Sequence, residues 1–242
     1  IMKLGQKYNV KVIEDAAHSL PTTHNGKLIG TIGDITVFSF YATKTITTGE
    51  GGMIVTRNEE YAKRMKVMRL HGFNRDAWNR YTDNKAAWYY EIVAPGYKYN
   101  MTDIASAIGI HQLKKCNLFY EKRKRIADIY FRELAHIPGL TLPHVENTND
   151  QHAWHIFAIK VHKNRNEFIL KLKEKGIGAS VHFIPLHIQP YWKEKYNLKE
   201  SDFPVAYDNY LHSLSLPIYT KMSDEDIAQI VQAVKETAKE LL

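Results

Sequence analysis

The sequence predicts an α/β fold on three observations. Short runs rich in β-branched residues (Val10–Ile13, Ile35–Phe40 and Met53–Val55) are bounded by turn formers and have the length of buried strands. Amphipathic stripes with start signals predict helices: Asn58 ahead of Glu59 and Glu60, and Ser223-Asp224-Glu225-Asp226 ahead of Ile227, Ile230, Val231, Val234, Ala238 and Leu241. Strand-like and helix-like segments alternate along the whole chain, as they do when helices cover a sheet.

Taken in order, the helix capped by Asn58 runs to about Leu70. His71 to Pro95 reads as a loop-like insert dense in aromatics: Trp78, Tyr81, Trp88, Tyr89 and Tyr90. Thr102 to Leu113 is a helix whose small residues, Ala105, Ala107 and Gly109, allow close packing. A long helix from about Asn117 carries the stripe Leu118, Ile126, Ile129, Tyr130 and Leu134 and ends near Pro138-Gly139. Beyond it, strands at Ala153–Val161 and Ala179–Phe183 flank a helix, Asn166–Lys175, closed by Gly176. Residues 1–116 are expected to form part of a large α/β domain. Residues 117–242 are expected to form a linking helix and a small domain.

Composition excludes several classes. A chain of 242 residues can bury a sizeable core. One cysteine, Cys116, rules out an internal disulfide framework and fits a reducing, cytoplasmic setting. No apolar run reaches the ~18 residues of a membrane span. The net charge of +7 is dispersed, and its densest cluster, Lys122-Arg123-Lys124-Arg125, reads as the solvated face of the long helix; no nucleic acid is expected. No metal is expected either, because His182 and His187 flank Pro185, which breaks any helix joining them, and no His/Cys ligand set exists. His152 and His155, beside Trp154, read as core or interface histidines.

The chemistry concentrates between Val10 and Thr56. Asp15, in Glu14-Asp15-Ala16-Ala17-His18, lies just past the carboxyl end of the first strand, where open α/β sheets bind ligands. Lys44 lies past the end of the second, among Ser39, Thr43, Thr45, Thr47 and Thr48, with no charged neighbour before Glu50. Alone, an Asp there is a turn former and a Lys a solvated loop residue. Together, at one sheet edge, they are what pyridoxal phosphate needs: an amine for its aldehyde and a carboxylate for its pyridine nitrogen. The hydroxyls would serve its phosphate.

These residues carry a resemblance. Glu14–His18, Gly33-Asp34, Phe38-Ser39-Phe40, Lys44 and Thr48–Gly52 resemble the signature of the DegT/DnrJ/StrS sugar aminotransferases. Two further blocks resemble that family's later motifs: Pro95–Ile104 with Ala107 and Gln112-Leu113, and Val181–His187 with Pro190-Tyr191. The resemblance is nearest to enzymes making UDP-4-amino-4-deoxy-arabinose and related 4-amino sugars. Against that family the chain looks like the C-terminal two-thirds, lacking a Gly/Ser/Thr loop that helps hold the cofactor phosphate. The resemblance implies the fold-type-I architecture of pyridoxal phosphate enzymes and a homodimer with shared active sites. It further implies Lys44 as the catalytic lysine, Asp15 at the pyridine nitrogen, His18 at the cofactor ring and Ser39 on the phosphate. Asn100 would reach the phosphate of the neighbouring subunit; read from the residues alone, Asn100 is equally a cap for the Thr102 helix.

The implied function is amino transfer from L-glutamate to a nucleotide-linked keto-sugar, a UDP-4-keto-sugar by the nearest resemblance, in surface polysaccharide or lipopolysaccharide synthesis. His187, His71 and Tyr191 are the candidate substrate contacts, and the aromatic insert suits either plain packing or a wall against a sugar or uracil ring. The alternatives are a sugar 3-aminotransferase, a dehydratase on the same scaffold, which by resemblance would carry His in place of Lys44, and a non-catalytic regulator that binds the cofactor. Retention of Asp15, Ser39, Lys44 and Asn100 together argues against the last.

Overall fold

The computed structural model describes residues 1–74 and 88–242, so Trp78 and Tyr81 of the aromatic insert lie outside the described residues. The chain gathers into two compact units, residues 1–117 with 149–153, and residues 118–148 with 154–242.

The first unit contains α1 (Met2–Tyr8), β1 (Ile13–Asp15), a hairpin of β2 (Thr23–His24) and β3 (Lys27–Leu28), β4 (Ile35–Ser39), β5 (Gly52–Val55), α2 (Glu59–Met68) and α3 (Asp103–Leu113). Its main sheet has the order β1-β4-β5, with β1 parallel and β5 antiparallel to β4. The three expected strands form, with shifted ends. Pairing starts at Ile13 rather than Val10, because the Val12 N–H donates to the Asp34 carboxylate (2.9 Å) instead of to a neighbouring strand. Asp15 is therefore the last residue of β1. Among these strands only β4 has a covered face: its period of two sets Thr36 and Phe38 inward, while Ile13, Val37 and Ile54 share the opposite face and, like Met53 beside Phe38, stay exposed.

Caps set the helix starts here. Asn58 Oδ1 accepts from the Tyr61 N–H (3.0 Å) at the head of α2, as its sequence signal predicts. At α3 the cap is Thr102, whose Oγ1 accepts from the Ala105 N–H (3.2 Å). The alternative capping role for Asn100 is thereby corrected: it sits two residues too early to reach the free amides of the first turn. A clasp made by the returning segment 149–153 closes the hairpin. The Asp150 carboxylate accepts from the backbone N–H groups of Asn25 (2.8 Å) and Gly26 (3.0 Å) and from the Thr23 hydroxyl (3.2 Å). These donors, Gly26 first, hold the Asp150 carboxyl below its ordinary value.

The second unit is built on α4 (Cys116–Leu134), an antiparallel sheet β6-β7-β8 (Leu140–Thr141, Phe157–Val161, Ser213–Leu216) and the helices α5 (Arg165–Glu174), α6 (Pro190–Tyr196), α7 (Pro204–His212) and α8 (Asp224–Leu241). Tyr130, Leu134, Phe157, Ile159, Phe168, Leu172, Leu214, Ile227 and Val234 form its core. Helix α8 opens on the expected capping box: Ser223 Oγ accepts from the Asp226 N–H (3.1 Å) and the Asp226 carboxylate from the Ser223 N–H (2.8 Å). Two strand expectations are corrected. The strand expected from Ala153 begins at Phe157, since Trp154 has a left-handed φ of 48° that interrupts an extended run. Ala179–Phe183 forms no strand beyond a single bridge, Ser180 to Ser215; the third strand is β8, whose Ser-Leu-Ser-Leu alternation was the available signal. Helices α1, α6 and α7 had no sequence expectation.

Helix α4 brings the clearest departure. Arg123, expected with the solvated cluster, is 6 % exposed, and its Nη1 donates to the carbonyls of Trp154 (3.0 Å), His155 (3.2 Å) and Ile218 (3.0 Å). Arg123 lies three residues before Ile126 and seven before Tyr130, which puts it on the buried stripe; Leu118, seven before Arg125, shares the solvent side and is exposed. Burial lowers the Arg123 pKa, but a guanidinium starts so high that it stays charged. Arg123→Met is expected to destabilise this unit by about 2–4 kcal/mol, because three carbonyls lose a charged donor while a buried cation's desolvation cost is relieved. Urea unfolding measures this, and an unchanged midpoint would show that the three bonds contribute nothing net.

Candidate active site

The carboxyl ends of β1 and β4 lie side by side, because Asp15 is in register with Val37 and Ser39 follows two residues later. At this edge Asp15 Oδ1 accepts from the Ala17 N–H (3.0 Å), which turns the chain away from the strand. Its second oxygen has no hydrogen-bond partner among the described residues, and the residue is exposed. Neighbouring Glu14 points the other way. Its Oε2 accepts from the Gly33 N–H (3.1 Å) and the buried Thr36 hydroxyl (2.6 Å), so Glu14 ties β1 to β4 while Asp15 stays open. His18 lies three residues beyond, exposed on the loop that follows.

Residues 40–51 connect β4 to β5 and carry Lys44. Their path is held by the Phe40 N–H donating to the Gly51 carbonyl (2.8 Å), the Thr48 N–H to the Phe40 carbonyl (3.0 Å) and the Lys44 N–H to the Tyr41 carbonyl (3.0 Å). Thr45, Ile46 and Thr48 are buried beneath it. Lys44 is half-buried, and among the described residues its amine makes no hydrogen bond or ion pair. Ser39 Oγ, at the strand end, accepts from the Tyr41 N–H (3.3 Å). Two glycines allow close packing of this turn. A Cβ at Gly51 would lie 2.4 Å from Thr48 Oγ1 and 2.7 Å from Met101 Cε, and one at Gly109 would lie 3.1 Å from the Thr48 methyl. Helix α3 and the residues leading into it thus sit directly against the turn.

That approach accounts for two more candidates. Tyr97 to Asn100 runs alongside Leu70: Leu70 and Lys98 form an antiparallel bridge, and the His71 N–H donates to the Tyr97 carbonyl (2.8 Å). His71 and Asn100 are thereby placed on one short paired segment leading to Met101. Asn100 Oδ1 accepts from the Lys98 amine. The remaining candidates belong to the second unit. His187 is buried on the 3-10 turn Leu186–Ile188, 4.9 Å from the Phe203 ring, with no hydrogen-bond partner for its Nε2 among the described residues; Tyr191 is exposed on α6 and its hydroxyl accepts from Lys195 (3.1 Å). Sequence reasoning did not assign a site role to Gln112, whose Oε1 accepts from the Thr47 N–H (3.3 Å); its recurrence beside Leu113 in the second motif was the available signal.

The donor set at the first unit's sheet edge fits pyridoxal phosphate. A lysine amine and a carboxylate oxygen that have no partner among the described residues, with hydroxyls at Ser39 and along the turn, are the groups that its aldehyde, pyridine nitrogen and phosphate require. Among the described residues no group of His, Cys, Asp and Glu could hold a metal ion, and no helix is long and apolar enough to cross a membrane.

The chain is 50 % identical to the uncharacterised protein MJ1066 of Methanocaldococcus jannaschii over 99 % of its own length and 63 % of that protein's. It is 45 % identical to the spore coat polysaccharide biosynthesis protein SpsC of Bacillus subtilis, over 99 % of this chain and 62 % of SpsC. The chain thus spans somewhat under two-thirds of the length of these relatives. Among solved structures, Spr1654 of Streptococcus pneumoniae, a proposed sugar aminotransferase, superposes with a TM-score of 0.88 at 30 % identity over 98 % of this chain and 61 % of that one; that match is its PMP form, and a PLP form matches at a TM-score of 0.86. Helicobacter pylori PseC, an aminotransferase of pseudoaminic acid biosynthesis, superposes with a TM-score of 0.87 at 28 % identity, over 99 % of this chain and 62 % of PseC. The α/β fold expected from the sequence is that of the fold-type-I, pyridoxal phosphate-dependent aminotransferases. The model of the DegT/DnrJ/EryC1/StrS aminotransferase family matches residues 1–235, and the chain belongs to that family.

Proposed function

We propose that the protein transfers an amino group, with pyridoxal phosphate as cofactor, from L-glutamate to a nucleotide-linked keto-sugar, a UDP-4-keto-sugar in the first instance. The observation that carries this reading is the Lys44 amine, unpartnered among the described residues, on a hydroxyl-rich turn at the same sheet edge as the open Asp15 oxygen. SpsC's part in spore coat polysaccharide biosynthesis supports a sugar product destined for a surface polysaccharide.

When bound, pyridoxal phosphate supplies an aldehyde that accepts an amine and a ring that takes up electron density from the carbon losing its proton. Lys44 would hold the cofactor through its amine and, as general base and acid, would move the proton of the donor's Cα. Asp15 would hold the pyridine nitrogen and favour its protonated form, Ser39 would bind the phosphate through its hydroxyl, and His18 would contact the ring. In a homodimer with shared sites, Asn100 would serve the phosphate of the neighbouring subunit; His71, and separately His187 and Tyr191, are the proposed substrate contacts. Lys44 stands where the dehydratase alternative would carry His, which disfavours that reading. The test is turnover by the purified intact protein with glutamate and a panel of UDP-, dTDP- and GDP-linked 3-keto and 4-keto sugars. Amination of a UDP-4-keto-sugar is expected to be fastest. Preference for 3-keto sugars would replace the substrate assignment, and no cofactor absorbance with no turnover on any sugar would overturn the reading.

A further inference from the structure

We infer that Gln112 is a positioning residue for Lys44: from helix α3 it holds the catalytic turn in the path that presents the amine. This rests on the proposed role of Lys44. Gln112, on α3 outside residues 39–51, hydrogen-bonds to the turn. Its Oε1 accepts from the Thr47 N–H at 3.3 Å, three residues after Lys44. The other bonds of the turn are internal. Thr47 Oγ1 donates to the Phe40 carbonyl (3.2 Å), Thr48 Oγ1 to the Glu50 carbonyl (2.7 Å), and the Gly49 N–H to Thr47 Oγ1 (2.9 Å). These set the local shape of the Thr47–Gly51 end but cannot hold it against anything else.

The β4–β5 pairing holds the two ends of the turn and burial of Thr45 and Ile46 holds its middle, and the Gln112 bond adds a directional anchor at Thr47, just beyond Lys44. Gly109 lies one helical turn before Gln112 on the same face, where the i, i+3 spacing brings both to the turn. There the missing Cβ of Gly109 makes room for the Thr48 methyl. Apolar packing is non-directional and resists separation more than sliding, whereas an amide–carbonyl bond is directional and fixes which atoms face each other. Lys44 lies between the Tyr41 carbonyl, where its own N–H is held, and the Thr47 amide. Loosening the second anchor lets the stretch from Thr45 to Thr47 shift, and a displacement of about 1 Å at a reacting group can cost on the order of 100-fold in rate.

Gln112→Met and Gln112→Glu test this. Met keeps the length and removes the acceptor; Glu keeps an oxygen that the Thr47 N–H can reach. Three readouts are taken: amide hydrogen exchange across residues 43–51 in cofactor-free protein, the pH midpoint of the bound cofactor's visible absorbance, and kcat against KM. In Gln112→Met, exchange is expected to rise about fivefold to tenfold, as the loss of one hydrogen bond implies. The pH midpoint shifts, kcat falls at least about tenfold with KM for glutamate within twofold, and Gln112→Glu restores all three. Exchange and kcat in Gln112→Met equal to the parent's would overturn the inference, as would equal losses in both variants, which would mark Gln112 as packing alone. Absence of cofactor absorbance in the parent protein itself would instead overturn the proposed function, and this inference with it.

Discussion

Lys44→Ala is expected to abolish amino transfer, lowering the rate by about four orders of magnitude or more, since the role proposed for Lys44 makes one side chain both the covalent attachment and the proton relay. The visible absorbance of the lysine-bound cofactor should vanish with it. Folding should be nearly unaffected. The amine has no partner among the described residues to leave orphaned, and the residues that shape the turn, Thr45, Ile46 and Thr48, are untouched. Circular dichroism and unfolding curves separate a dead site from a damaged fold. Lys44→Arg is the sharper control: it keeps the positive charge, but a guanidinium does not give up its proton and so cannot act as the nucleophile or base. Arg is therefore expected to be as inactive as Ala. Near-normal turnover by either variant would sink the assignment of Lys44.

Asp15→Asn should leave the cofactor bound but slow the half-reaction with glutamate by on the order of 100- to 1,000-fold, the scale of losing one preorganised charge-stabilising group. The substitution is almost isosteric, and the amide oxygen can still accept from the Ala17 N–H, so the chain reversal after β1 should survive. What is lost is the negative charge that, in the proposed role, holds a proton on the pyridine nitrogen. Glu14 cannot substitute for it, because its carboxylate faces the opposite side of the strand and is occupied by Gly33 and Thr36. Stopped-flow measurement of a single turnover with glutamate reads the effect directly. Rates within a few-fold of the parent would show that Asp15 is not the partner of that nitrogen.

The placement of Asp15, Ser39 and Lys44 at one sheet edge was legible because each sits at the end of a short apolar run or just past it. A strand's existence and approximate end are local properties of about five residues, and parallel pairing of β1 with β4 then brings those ends to one edge. The caps at Asn58 and Ser223 were legible for the same reason, since a cap and the amides it satisfies lie within one turn. By itself the sequence thus determined the fold class, the family motifs and the residue types at the sheet edge. Tertiary structure decided what depends on partners far along the chain. Arg123 and Lys122 are adjacent and alike in charge, yet one is buried on carbonyls up to 95 residues away and the other faces water. Ala179–Phe183 has strand composition, but Ser213–Leu216 holds the place beside β7, because a ladder needs a free neighbouring strand as well as a propensity. Gln112 meets the Lys44 turn across 65 residues. The physical reason is common to all three. Period and capping are set by neighbours along the chain, whereas burial and hydrogen-bond satisfaction are set by whichever distant groups the fold brings alongside.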